Sequence, residues 1–513
     1  MAYLSLWIPL YLFLGAATLL FVWCRKRLNY WAERGIVHDK PSLLYGSLSG
    51  VGRTQALRDP FYDCYNKYKH AAPFGGFHLS MRVAAIIFDL DLVKHVLVKD
   101  FANFSSRGAY YNEKDDPISG HVFNLDGEKW RSMRTKLTPT FTSAKMKFMF
   151  PTVVKVANEF VNVLRHEAEK VKETTAGTAD VSAQGIEIRD LLARFTTDVI
   201  GSCAFGLECN SLHEPNTQFR VMGKKIFSTR RNGRLAFGFA QAYPELARKI
   251  GLKFTPEDVS DFFRKVVRDT AAYREKEGIQ RNDFMNLLLD LKDQGEDGLT
   301  LEQITAQAFV FFIAGFETSS STMGFALYEL ALNQEMQTKA REEIRTVLAR
   351  HDGQFTYECM RDMKYLHQIL CETLRKYSVA SITMRKTLND YRVPNTKYVI
   401  EKGVIIVIPV DAIHRDPEIY PDPDRFDPAR FEPEAIAKRH PMAWLPFGEG
   451  PRNCIGLRFG KMQAMVGLAL LLKHFKFSLA PRTKVPLEIK KEAFVLTSQD
   501  GIHVHVEPIV GAK

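Results

Sequence analysis

Phe447-Gly448-Glu449-Gly450-Pro451-Arg452-Asn453-Cys454-Ile455-Gly456 is the stretch on which the reading of this chain turns, and the helical run LRFGKMQAMVGLALLLKHF follows it at once. A lone cysteine is ordinarily a small buried hydrophobe. Three details set this one apart. Gly448, Gly450 and Gly456 permit backbone conformations that bring N–H groups towards a sulfur, Arg452 adds positive charge, and a helix opens just after Cys454. Each of these stabilises a thiolate. The glycines do not form a dinucleotide fingerprint, because a third one is missing and the preceding HPMAWLP is no parallel strand.

Upstream lies a long apolar helix, LEQITAQAFVFFIAGFETSSSTMGFALYELAL, opened by the capping-box pattern Thr300-x-x-Gln303. Its centre, Ala314-Gly315-Phe316-Glu317-Thr318-Ser319, replaces good helix formers with a glycine and hydroxyls. A Thr318 hydroxyl can bond the carbonyl of Ala314 and bend the helix. Small residues at 314 and 315 would admit a flat ligand or a diatomic molecule to the backbone, and Glu317 and Thr318 could pass protons. A bent core helix with a small-residue packing contact reads from the same letters.

Further outward, residues from about 140 to 375 read as helices with apolar positions three and four apart. Strand-like text is confined to 77–88, to YVIEKGVIIVIP at 398–409 and to GIHVHV at 501–506. The fold class is therefore mainly α with a small β portion. The chain has 513 residues, 46% hydrophobic and 25% charged, which excludes disordered, collagen-like and multi-span membrane classes. Seven scattered cysteines with no CxxC pair fit neither a disulfide framework nor a zinc site. Residues 1–24 carry no Asp, Glu, Lys or Arg, and as a helix would extend about 36 Å, enough to cross a ~30 Å hydrocarbon core. Arg25, Lys26 and Arg27 follow, so the positive-inside rule puts the body in the cytosol. Pro41, Gly46, Gly50 and Gly52 punctuate a tether over 25–52. No linker divides 53–513, which reads as one body.

These motifs resemble the cytochrome P-450 family of haem-thiolate monooxygenases, over essentially the whole chain. FGEGPRNCIG is similar to the family's F-x-x-G-x-R-x-C-x-G loop, AGFETS to its oxygen-activating segment, Glu372-Thr373-Leu374-Arg375 to its E-x-x-R, Pro428-Ala429-Arg430-Phe431 to its P-x-R-F, and Trp130 to Arg134 to its W-x-x-x-R. NEKDDPISGHVFNLDGEKW and FTSAKMKFMF look like arthropod microsomal, xenobiotic-metabolising members. The resemblance implies the cytochrome P-450 fold with one N-terminal transmembrane helix. It also implies haem b ligated by Cys454, with Trp130, Arg134, Arg385 and Arg452 at the propionates. Glu317 and Thr318 would deliver protons and hold water. Glu372, Arg375 and Arg430 would form a buried ion network that steadies the loop. Phe311, Phe312, Phe316, Val379, Ile382, Leu496 and Thr497 are candidate substrate contacts. One departure stands out. Lys376-Tyr377-Ser378-Val379 replaces the usual Pro-Pro after the E-x-x-R, which predicts a softer turn into a strand that borders the pocket.

The partners implied are O₂, a small lipophilic substrate, an NADPH-dependent flavoprotein reductase and cytochrome b5, since the chain shows no flavin or nucleotide fingerprint of its own. The implied location is the endoplasmic reticulum membrane with a cytosolic catalytic domain. Net charge is +11 and pI about 9.1, which suits an anionic membrane surface or an acidic partner, and no nucleic-acid motif is present. Lys136, Lys145, Arg458 and Lys461 could dock the reductase. Eight basic residues and one acid over 224–253, interleaved with Leu235, Phe237, Phe239 and Pro244, suit a contact with membrane lipid or an ordinary solvated surface. Two other classes fit the motifs less closely. One is a reductase-independent haem-thiolate isomerase or dehydratase, against which Glu317 and Thr318 argue, and the other is a non-catalytic haem-binding membrane protein.

Overall fold

The chain is described by a computed structural model covering residues 2–175, 185–228, 231–281, 283–292 and 298–509. Its centre is the helix Leu301–Leu332, whose capping box forms as its sequence dictates. Thr300 Oγ1 accepts the Gln303 N–H at 3.2 Å, and Gln303 Oε1 accepts the Thr300 N–H at 2.9 Å. The helices Ile188–Ile200 and Leu457–His474 pack along it. Two glycines make these approaches close. A Cβ on Gly315 would lie 2.4 Å from Ile200 Cδ1, and one on Gly467 would lie 2.8 Å from Met323 Sδ. Gly315 therefore serves helix packing. The reading that both 314 and 315 open the backbone to a ligand holds only for Ala314, which is exposed on another face.

At its middle the long helix shares its carbonyls with side chains. Five in succession accept a donor: Ala314 from Thr318 Oγ1 (2.6 Å), Gly315 from Gln463 Nε2 (3.2 Å), Phe316 from Thr196 Oγ1 (2.9 Å), Glu317 from Ser320 Oγ (3.1 Å) and Thr318 from Thr322 Oγ1 (2.8 Å). Hydroxyl back-bonding of this kind loosens the main-chain ladder. Two of the donors come from the neighbouring helices, so the fold itself sets the shape of this turn.

The β portion draws on more of the chain than its strand-like text and is paired across distant segments. Residues 77–88 are no single strand but part of a hairpin, Phe74–Leu79 and Arg82–Ile87, reversed at Ser80 with φ 55°. The sheet runs Phe74–Leu79, Arg82–Ile87, Ile405–Ile408, Thr383–Lys386, with only the middle pair parallel. Val399–Ile400 joins Tyr391–Arg392 instead, so 398–409 is not one hairpin. His503–Pro508 pairs with Phe475–Leu479 and Ile186–Glu187. One apolar cluster fills the helical side and a second surrounds the four-stranded sheet.

The first helix, Ala2–Leu28, ends on Arg25, Lys26 and Arg27, and its part from Pro9 to Leu28 is long and apolar enough to cross a membrane. The stretch 25–52, expected as a tether, is folded onto the sheet. Trp31 is 1% exposed, and its indole N–H donates to the Phe77 carbonyl at 3.2 Å. A Cβ on Gly76 would meet Trp31 Cγ at 2.3 Å, so glycine is needed there to seat the ring. His78 lies within hydrogen-bond distance (3.2 Å) of the Arg27 carbonyl, near the end of the first helix. Burial of Trp31 and Ile36 outweighs the turn-forming glycines that the sequence displays.

Candidate active site

The cysteine loop takes its shape from two left-handed glycines, Gly448 at φ 66° and Gly450 at φ 73°. Gly456, the third glycine singled out, has an ordinary φ of −86° at the start of the helix Leu457–His474. The turn closes through the Cys454 N–H to the Phe447 carbonyl (2.8 Å) and the Asn453 N–H to the Gly450 carbonyl (3.0 Å). Cys454 presents open surface although protein surrounds it. Burial pushes its thiol pKa up, while the Gly456 N–H, Arg107 and Arg134 act in the opposite sense and favour the thiolate. Gly450 is also pinned sterically, since a Cβ there would sit 2.0 Å from the Leu97 carbonyl oxygen, whereas one on Gly448 would meet only Asn453 Cα at 3.9 Å. Gly450→Ala should therefore cost about 2–5 kcal/mol, left-handed strain plus overlap, against about 1–2 kcal/mol for Gly448→Ala. Thermal unfolding of the two variants side by side checks this, and equal losses would sink it.

Beside the loop four guanidiniums converge. Arg134 donates to the Asn453 carbonyl and side chain at 3.1 and 2.8 Å. Arg452 stacks over Trp130 with its guanidinium carbon 4.2 Å from the ring centroid, and donates to the Leu125 carbonyl and to Asp126. Arg107 donates to the Arg452 carbonyl, and Arg385 to Met384 O and Thr383 Oγ1. Buried N–H groups remain without a partner at Arg107 Nε, Arg385 Nε, and Arg452 Nε and Nη1. Burial, joined by mutual repulsion, pulls the pKa values of Arg385 and Arg452 down to about 9 and that of Arg107 to about 10. Among the described residues, Asp126 is the one carboxylate bonded within this group. Several buried cations with spare donors are costly unless an anion meets them. A planar ligand with two carboxylates, coordinated by a thiolate on one side, fits the donor set, as the haem implied by the sequence would. Arg107 was not singled out by sequence reasoning, because an arginine in SSRGAYY has no diagnostic spacing. Phe123 was also missed. It is half-exposed, and the Arg107 guanidinium carbon lies 4.0 Å from its ring centroid.

Across the long helix the candidates separate by face. Ile313, Ala314, Glu317 and Thr318 carry open surface, whereas Phe311, Phe312 and Phe316 are buried. Phe311 packs on Phe141 (5.1 Å) and Phe284 (5.7 Å), Phe312 on Phe263 (5.3 Å) and Phe219 (5.5 Å), and Phe316 on Phe312 (5.1 Å). These three rings pack into the helical core. The 3.6-residue period turns Phe312 and Phe316 away from Ala314 and Thr318, whereas Phe311, three and seven residues before them, falls on their side of the helix but is covered by Phe141 and Phe284, and Ile313 lines up with Glu317. Val379 and Leu496 do come together, the Leu496 N–H donating to the Val379 carbonyl at 3.1 Å. Ile382 is half-buried, and buried Thr497 has a hydroxyl without a partner. Glu317 is held by Arg189 at 3.1 Å. Because the Thr318 hydroxyl donates to Ala314 O, only its lone pairs are left for a further partner.

Glu372 and Arg375 form a fully buried pair, with Arg430 close by. Arg375 grips Glu372 bidentately at 2.7 and 2.8 Å and donates to the carbonyls of His414, Pro423 and Arg425, while Arg430 Nε lies 3.5 Å from Glu372 Oε1. Glu372 also accepts the Asp427 N–H at 2.8 Å.

Comparison with known proteins agrees with this geometry. Residues 38–505 match the family model described as Cytochrome P450. The chain is 48% identical to cytochrome P450 6a2 of Drosophila melanogaster, over 98% of this chain and 100% of that protein. It is 50% identical to cytochrome P450 6a8 of the same fly over 96% of this chain and 97% of that one. It is 47% identical to cytochrome P450 6A1 of Musca domestica over 96% of each.

Proposed function

From the premise that this chain belongs to the cytochrome P450 family and is a haem-thiolate monooxygenase, we propose that it works at the cytosolic face of the endoplasmic reticulum membrane. It oxidises lipophilic substrates, xenobiotics or endogenous lipids and hormones, drawn from the bilayer. The observation that carries this reading is the contact of Trp23, on the first helix, with Tyr243 at 6.3 Å. Tyr243 belongs to the segment of helices Gly233–Ala242 and Pro244–Lys249, where Phe237, Leu246 and Ile250 are exposed beside Arg248, Lys249 and Lys253. Apolar side chains with a basic fringe next to a spanning helix suit the headgroup boundary. Residues 229 and 230, and the side chains of 228, 234 and 235, lie outside the described residues. Deleting residues 2–24 keeps the Arg27 carbonyl for His78 and should leave a haem-binding body that pellets with membranes only in part, at low salt. Full solubility at low salt would remove the second contact.

Haem, when bound, supplies iron at which O₂ is reduced and one oxygen atom is transferred to substrate, the other leaving as water. The chain's own groups do the rest. Cys454 Sγ would ligate the iron as a thiolate, and Arg107, Arg134, Arg385 and Arg452 would hold the propionates. Ile313, Ala314, Val379 and Leu496 wall off water around an apolar substrate. Thr318 Oγ1, fixed by its bond to Ala314, accepts a hydrogen bond from a water and so orients that water's other proton. Glu317, steadied by Arg189, relays protons to it. Electrons come singly from NADPH through a flavoprotein reductase, with cytochrome b5 as a second donor, docking where Lys145 and Arg458 are exposed and Lys461 lies over Trp444 and Phe447. Thr318→Ala tests the proton role. NADPH should still be consumed, but product per NADPH should fall as more electrons emerge as hydrogen peroxide. A positioned proton donor is worth about 10²–10⁴-fold in rate, part of which free water restores. Unchanged coupling would leave Thr318 as a helix-bending residue only.

A further inference from the structure

The turn that lacks the expected proline pair is held in another way. Ser378 is buried, and its Oγ lies 2.8 Å from His414 Nδ1. The other ring nitrogen, His414 Nε2, accepts the Leu445 N–H at 2.7 Å. That bond fixes the tautomer, because an acceptor Nε2 requires the proton on Nδ1, which then donates to Ser378 Oγ. Burial and the nearby Arg375 pull the His414 pKa down to about 3, which keeps the ring neutral. The His414 carbonyl meanwhile accepts from Arg375. Leu445 stands two residues before Phe447, whose carbonyl closes the cysteine turn, and Val379, next to Ser378, receives Leu496. One buried imidazole thus joins the pocket wall, the E-x-x-R helix and the approach to the thiolate loop.

We propose that His414 is a positioning residue for the Cys454 loop and that Ser378, accepting the Nδ1 proton, holds the ring in the orientation in which Nε2 receives the Leu445 N–H. The serine takes over by hydrogen bonding what a φ-locked proline would supply by stiffness. The backbone permits a direct comparison. Tyr377, at φ −124° and ψ 73°, already lies outside the helical region that a following proline disfavours, and no hydrogen bond from the Ser378 N–H is found among the described residues.

The test uses the full-length haem-loaded protein with Ser378→Ala, Ser378→Pro, His414→Phe and His414→Gln. Two quantities are read: hydrogen exchange at the Leu445 amide, and the rate at which the ferrous carbon monoxide complex loses its red-shifted thiolate band on mild warming. Losing one net hydrogen bond should accelerate both about tenfold in Ser378→Ala. His414→Phe, which leaves the buried Leu445 N–H unpaired and Ser378 Oγ with only the long bonds to the Leu374 and Arg375 carbonyls, should do more, and His414→Gln, whose carbonyl can still accept the Leu445 N–H, should recover part of the loss. Ser378→Pro should behave like Ser378→Ala. If the proline variant matches the parent while the alanine variant does not, turn stiffness is what Ser378 supplies and the hydrogen-bond account is wrong. If His414→Phe leaves both readings unchanged, His414 only fills space and the proposal fails.

Discussion

Cys454→Ser should yield a protein that still folds and takes up some haem but has no red-shifted carbon monoxide band and no monooxygenase activity. A serine hydroxyl keeps its proton at neutral pH, so it gives the iron neither the charge nor the polarisable sulfur of a thiolate. Nothing else in the site depends on the sulfur. The loop is shaped by Gly448 and Gly450, the guanidiniums of Arg107, Arg385 and Arg452 retain their spare donors, and a sulfur-to-oxygen exchange leaves no large void. Haem content and the carbon monoxide difference spectrum, measured on one sample, therefore separate binding from ligation. Retention of the thiolate band in the serine variant would mean that another residue is the ligand. Among the described residues the other six cysteines are free, and no cluster of metal-binding side chains competes with this one.

Arg375→Ala should prevent the folded protein from accumulating at ordinary growth temperature. Arg375 and Glu372 are both fully buried, and burial already pushes the Glu372 pKa up against the pull of Arg375. Removing the guanidinium leaves a carboxyl with only Arg430 and the Asp427 N–H, and strips the donor from three main-chain carbonyls. Breaking a buried pair costs about 3–5 kcal/mol, and each orphaned carbonyl about 1–3 kcal/mol more. A domain's net stability is only about 5–15 kcal/mol. Arg375→Lys should be nearly as harmful, because an ammonium cannot span the fork that the guanidinium fills. Yield of soluble haem protein and its thermal midpoint decide the matter, and a midpoint within a degree of the parent would show the network to be dispensable.

How far the sequence carried depended on whether a residue's task leaves a local pattern. The cysteine loop was legible because positive-φ glycines at fixed spacing have few other uses. The capping box at Thr300 and the Thr318 back-bond were legible because both are bonds within one turn. Arg107 was not, since its partners, Arg452 and the segment holding Phe123 and Asp126, are distant in sequence. The burial of Phe311 and Phe312 was not legible, because an apolar helix buried nearly all round gives no hint of which side is open. The hairpin at Ser80 was hidden by a turn without Gly, Pro, Asn or Asp. The docking of residues 25–52 was hidden because one tryptophan in a glycine-punctuated stretch decides it.

That docking has a consequence for encounters between proteins. His78 on the Arg27 carbonyl, the Trp31 indole on Phe77 and Tyr243 against Trp23 leave no slack joint between the first helix and the body. With that helix in a bilayer, the body keeps two translations in the plane and one rotation about the normal, and it surrenders height and tilt. The basic face around the cysteine loop then travels at a constant distance from the headgroups. On the proposed membrane location, a redox partner held in the same plane would find it by a search in two dimensions, in which crowding of the surface, rather than concentration per volume, sets how often they meet.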